Sequence, residues 1–111
     1  MPLAIQPEHH AGSMIVYAIG RITLGRECQQ LQEQLTELVD AGEKDVVVNL
    51  RGVTYIDSTG IGVLAMVAGL LRKAGGRLRL TAARGQVEEV LRVTRLYDMV
   101  ARYPESAAAA A

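Results

Sequence analysis

The chain has 111 residues, half of them apolar; that is enough for one domain with its own core and too little for a two-domain enzyme. Leu, Ile and Val number 31, against four Tyr and no Phe or Trp. The core is therefore aliphatic, and the stacking platforms of a single-strand nucleic-acid binder are missing. Twelve basic and twelve acidic residues cancel, which removes the global field that draws a protein to nucleic acid or to an anionic membrane.

In chain order, Leu3 to Ile5 and Met14 to Ile19 are short β-prone runs, separated by Pro7, His9, His10, Gly12 and Ser13. They predict a hairpin with a turn-rich spacer. After Gly20 to Thr23, the apolar residues Cys28, Leu31, Leu35, Leu38 and Val39 recur three and four apart, the period of an amphipathic helix ending at Gly42. Asp45 to Leu50 is a β-branched, nearly continuous apolar run, which predicts a central strand covered on both faces and so helices on both sides of the sheet.

Asp57-Ser58-Thr59-Gly60 opens a second helix through Ala74, stopped by Gly75-Gly76. Arg77 to Thr81 alternates with period two, as a half-exposed or edge strand does. A third helix is predicted over about Arg84 to Thr94 with Val87, Val90 and Leu91 inward, and Leu96, Tyr97, Met99 and Val100 close a short terminal element. Pro104, Glu105, Ser106 and the five alanines to Ala111 form a low-complexity tail expected to be disordered. The order β-β-α-β-α-β-α predicts an α/β fold with a mixed, mainly parallel sheet of four to five strands flanked by helices.

Charge is uneven along the chain. Residues 1–70 carry four Lys/Arg and eight Asp/Glu, and residues 71–102 carry eight and three. This suits docking on a partner with complementary patches, and equally two solvated faces of an ordinary domain. The only cysteine is Cys28, which excludes an internal disulfide and a cysteine zinc site and points to a reducing compartment. The N-terminus lacks the pattern of a signal peptide. The longest uncharged run, Ser58 to Leu71, is 14 residues, short of the roughly 18 that span a bilayer. The expected location is the cytoplasm, with no membrane insertion.

Few residues suit catalysis. Gly60-x-Gly62-x-x-Ala65 matches a relaxed dinucleotide fingerprint, but Thr81, Ala82 and Ala83 stand where the ribose-binding acid belongs. The plainer reading of both glycines is close packing of the helix on the sheet. His9 and His10 are adjacent in a predicted loop with no acid or cysteine cluster, and no metal site is expected. Cys28, on the apolar stripe, reads as a core residue. Ser58 lies in no G-x-S-x-G and has no histidine motif, so a Ser-His-Asp hydrolase is not indicated. What remains is two hydroxyls behind an acid at a helix start. One polar residue there is a cap contributing about 1 kcal/mol. A second, exposed hydroxyl can accept a phosphate, adding about 1.5 to 2 negative charges beside Asp57.

The segment Val46 to Gly62, VVVNLRGVTYIDSTGIG, closely resembles the STAS domain family, the domain of bacterial anti-sigma factor antagonists and of the cytoplasmic end of sulfate transporters. The likeness extends to GRIT at Gly20 to Thr23, to Gly75-Gly76 and to VLRVTRLYDMV at Val90 to Val100, so residues 1–103 are expected to form one STAS domain. The resemblance implies that Ser58 is phosphorylated by an anti-sigma factor that is also a serine kinase, with Thr59 as the secondary acceptor. It implies that phosphorylation releases that partner, that a serine phosphatase reverses it, and that transcription is regulated thereby. Asp57, Ser58, Thr59, Gly60, Ile61, Gly62 and Thr23 would form the docking surface. Thr23 stands where kinase-coupled members often carry an acid. The domain would catalyse nothing and need no cofactor, ATP being the kinase's. The alternatives are a nucleotide or small-ligand module of the same fold, and a non-phosphorylated scaffold subunit of a transport or stress complex.

Overall fold

The computed structural model describes residues 3–102; the expected disordered tail, 104–111, lies outside them. Strand β1 (Ala4–His10) pairs antiparallel with β2 (Ser13–Ile22). The hairpin turn is only Ala11-Gly12, with φ of 49° and 86°, the two left-handed residues of the turn whose twist matches a two-residue hairpin. The spacer predicted around Pro7, His9 and His10 is thus strand up to His10. Pro7 is tolerated because β1 is an edge strand with no outer neighbour to receive its missing N–H.

Helix α1 (Arg26–Asp40) follows, then β3 (Asp45–Ile56), α2 (Ser58–Lys73), β4 (Arg77–Thr81), α3 (Gly85–Val93), a single 3-10 turn (Leu96–Asp98) and a two-residue strand β5 (Ala101–Arg102). The five strands lie side by side in chain order, with β2 to β5 parallel. Strand β3 runs six residues past Leu50, the predicted end, and this second half pairs with β2 alone, up to Ile22 opposite Ile56.

The helices do not lie on both sides of the sheet. Each parallel crossover steps in the same direction, and crossovers of the usual right hand then set every helix on one face. Met14, Val16, Val46, Val48, Leu78 and Leu80, which point to that face, form one core cluster with Leu31 and Leu35 of α1, Leu64 and Leu71 of α2, and Val87 and Leu91 of α3. Val47 and Ile15, neighbours in register and fully buried, point the other way and stand outside that cluster.

The helix-free face is organised by Asp45. Its carboxylate accepts from the Ser13 hydroxyl (2.6 Å), from Arg79 Nε and Nη2 (3.1 and 2.6 Å) and from Arg77 Nε (3.3 Å). Burial alone would raise the Asp45 pKa, but the bonds from Ser13 and Arg79 and the charges of Arg79 and Arg77 outweigh it and hold the group below its ordinary value. An acid of the negative half is thereby matched to two cations of the positive half, so part of the uneven charge is satisfied inside the fold.

Candidate functional site

The parallel strands end at the N-termini of α1 and α2. Asp57, leaving β3 in an extended conformation, is the N-cap of α2, and its Oδ1 accepts from the Gly60 N–H at 2.9 Å. Its Oδ2 accepts from the Leu24 N–H at 2.8 Å, across to the loop that starts α1. Burial would raise the Asp57 pKa, but the backbone N–H groups of Gly60, Leu24 and Thr59 outweigh it and keep the carboxyl below its usual range. The main-chain N–H of Asp57 donates to the Ile22 carbonyl at 3.2 Å. Asp57 is thus fully engaged in structure.

Ser58 is different. It is the first residue of α2, it is exposed, and its hydroxyl makes no hydrogen bond among the described residues. Thr59 is half-buried behind it. The other residues expected at a docking surface divide by depth: Gly62 is exposed, Ile61 and Thr23 are half-buried, and Gly60 is buried. A Cβ on Gly60 would meet Ile22 and Ile56 side chains at 2.7 Å, whereas one on Gly62 would meet nothing within 4 Å. The close packing expected of both glycines holds for Gly60 alone.

Three residues here escaped the sequence reading. Leu24 is 74% exposed, a large apolar residue whose own N–H is bonded to Asp57, the residue before Ser58. Glu27 receives the Thr23 hydroxyl at 3.2 Å, so at the position where an acid is often found a carboxylate stands one turn further on. Gln86 of α3 reaches back to the end of β3. The first two carried a signal in retrospect, an apolar residue before a glycine at a helix start and a hydroxyl four residues ahead of an acid. Gln86 carried none. Away from this end, α2 turns Met66 and Leu70 partly outward, with Gly69 open between them.

The remaining candidates are engaged in structure. His9 and His10 point to opposite sides of β1 and hold different acids, Glu43 at 2.7 Å and Glu8 at 3.0 Å; no group of three or more metal-ligating side chains occurs among the described residues. Cys28 is buried, and burial first, then Asp57 and Glu27, push its thiol pKa up, so it stays protonated and inert. No helix among the described residues is long and apolar enough to cross a membrane.

Comparison with known proteins identifies the family. The STAS domain model matches residues 4–109. The chain belongs to the STAS domain family. BtrV of Bordetella bronchiseptica, provisionally named an anti-sigma factor antagonist, is 33% identical over 99 residues, 87% of this chain and 85% of BtrV. Among solved structures, an anti-sigma factor antagonist from Mycobacterium paratuberculosis superposes with a TM-score of 0.82 at 22% identity, covering 91% of this chain and 85% of that one. The Bacillus cell fate determinant SpoIIAA in its phosphorylated form gives 0.72 at 18% identity, over 95% and 96% of the two chains. The STAS fold expected from Val46 to Gly62 is the fold observed, and the family is that of the anti-sigma factor antagonists.

Proposed function

We propose that this STAS domain binds an anti-sigma factor with serine kinase activity through the surface around Ser58, and that phosphorylation of Ser58 releases it. A serine phosphatase then restores the binding form. The observation that carries this reading is the division of labour between Asp57 and Ser58. Asp57 alone caps α2, while the Ser58 hydroxyl is exposed and unbonded. A serine retained as a cap would spend its hydroxyl on a backbone N–H; this one is left available for chemistry.

The surroundings suit a docking surface sensitive to charge. Leu24, bonded to Asp57 through its N–H, and Gly62, one turn along α2 from Ser58, are both exposed, and a Cβ on Gly62 would meet open space, so a partner surface can pack here. A phosphoryl group would stand beside the ionised Asp57, bringing like charges together and adding a dianion to be desolvated on docking. The helix N-terminus offsets part of that charge within the domain, so the fold survives while the interface does not. The dinucleotide reading draws no support from the same geometry: the Gly60 N–H at the start of α2, where a pyrophosphate would sit, already serves the Asp57 carboxylate.

Incubation with the kinase-type anti-sigma factor and ATP should place one phosphate on Ser58 by mass spectrometry, and Ser58→Ala should abolish it. Full labelling of Ser58→Ala, with the phosphate on Thr59, would move the switch to the second hydroxyl and overturn the assignment.

A further inference from the structure

Strand β4 accompanies β3 only as far as Asn49, opposite Thr81, yet β3 continues to Ile56. Successive residues of a strand point their main-chain groups to alternate sides. The Asp57 N–H is spent on Ile22 in β2, so the N–H and C=O of Ile56 face the opposite side, where β4 is missing. Ile56 is fully buried, and buried backbone groups need partners. Gln86, in the first turn of α3, supplies both: its Oε1 accepts from the Ile56 N–H at 3.1 Å and its Nε2 donates to the Ile56 carbonyl at 2.9 Å. A side-chain amide carries the same donor and acceptor as a peptide unit, and here it stands in for one residue of an absent strand.

Ile56 is two residues before Ser58. The turn between them is held on the β2 side by Ile22 and Leu24 acting on Asp57, and on the α3 side by Gln86 acting on Ile56. We infer that Gln86 is a positioning residue for Ser58, clamping the end of β3 so that the Asp57-Ser58 turn keeps the geometry in which the serine is phosphorylated and docked. Its consequence for phosphorylation rests on the function proposed above; its effect on the turn does not. Without the clamp the turn is hydrogen-bonded from the β2 side only, and the Asp57 carboxylate loosens from its two N–H donors. The clamp adds a direct hydrogen-bonded link from α3 to the end of β3, beside the core packing of Val87 and Leu91.

The amides of Leu24 and Gly60 report on the turn, because both donate to Asp57 and neither touches Gln86. Hydrogen exchange followed by NMR on the free protein should show Gln86→Ala speeding exchange at these two amides at least tenfold more than at Val48 and Leu64, which report opening of the core. Gln86→Glu keeps an acceptor for the Ile56 N–H but sets a carboxylate oxygen against the Ile56 carbonyl, and should likewise speed exchange at Leu24 and Gly60 more than at Val48 and Leu64. Val87→Ala weakens the buried face of α3 without removing the clamp, and should move all four amides together. With the kinase-type anti-sigma factor and ATP, Gln86→Ala should slow phosphorylation of Ser58 at least fivefold. Exchange at Leu24 and Gly60 that changes no more than at Val48 and Leu64 would overturn the inference, and should the alanine variant not fold, Gln86→Glu decides by the same comparison. If wild type itself accepts no phosphate, the proposed function fails, while the exchange data still decide the role of Gln86.

Discussion

The Leu24 main-chain N–H donates to Asp57 Oδ2 at 2.8 Å while Oδ1 of the same carboxylate caps α2 through Gly60. One side chain therefore ties the start of α1 to the start of α2, whose first residue is Ser58. Asp57→Ala should lose the cap and the tie together, lowering stability by about 1–2 kcal/mol in urea denaturation. Asp57→Asn keeps an acceptor for the cap and should lose less. A variant as stable as wild type on both counts would show that the carboxylate is idle.

The two glycines of the helix start should respond in opposite directions. Gly60→Ala forces a methyl to 2.7 Å from Ile22 and Ile56 and should destabilise by about 1–3 kcal/mol. Gly62→Ala meets open space and should stabilise the free domain by up to about 1 kcal/mol, since alanine is the better helix former. If the partner packs on α2 at this point, the same Gly62→Ala variant should bind it more weakly. Thermal melts of both variants beside a binding titration of the second separate these effects.

Acid should unfold the domain through Asp45 and Asp57. Both are held below the ordinary value of 3.8 in the folded state, so the folded chain binds fewer protons than the unfolded one. Their contribution is complete above that value and is lost as pH falls through the lower folded pKa values. Stability measured by urea should thus be flat in these groups near neutrality and fall below about pH 4. Asp45→Asn, which removes the charge facing Arg77 and Arg79, should cost about 1–2 kcal/mol at pH 7 and flatten the acid slope. An unchanged slope would show that the network does not govern acid stability.

Much of this was legible in the residues. The three- and four-residue spacing from Cys28 to Val39 marks α1, the β-branched run from Val46 marks the sheet centre, and Asp57-Ser58-Thr59-Gly60 marks the helix start that became the site. Local periodicity and capping chemistry are short-range and survive in the sequence. What failed to show depends on distant pairing. The side on which helices lie is fixed by strand order, so Val47 could be buried on the face away from every helix core. The strand residues Thr54 to Ile56 have β2 on one side and α3 on the other, which breaks the pattern of a central strand. The difference between Gly60 and Gly62 depends on whether Ile22, nearly forty residues earlier, arrives beside them. Gln86 meets Ile56 only once α3 has folded across the end of β3.

The measurement that bears most directly on the central claim is a binding titration of the kinase-type anti-sigma factor with two forms of this domain, unphosphorylated and carrying a single phosphate on Ser58. Phosphorylation should weaken binding at least tenfold, a loss of about 1.4 kcal/mol, while circular dichroism shows the same fold in both forms. Equal affinity of the two forms would contradict the switch and leave Ser58 as an exposed residue without a regulatory role.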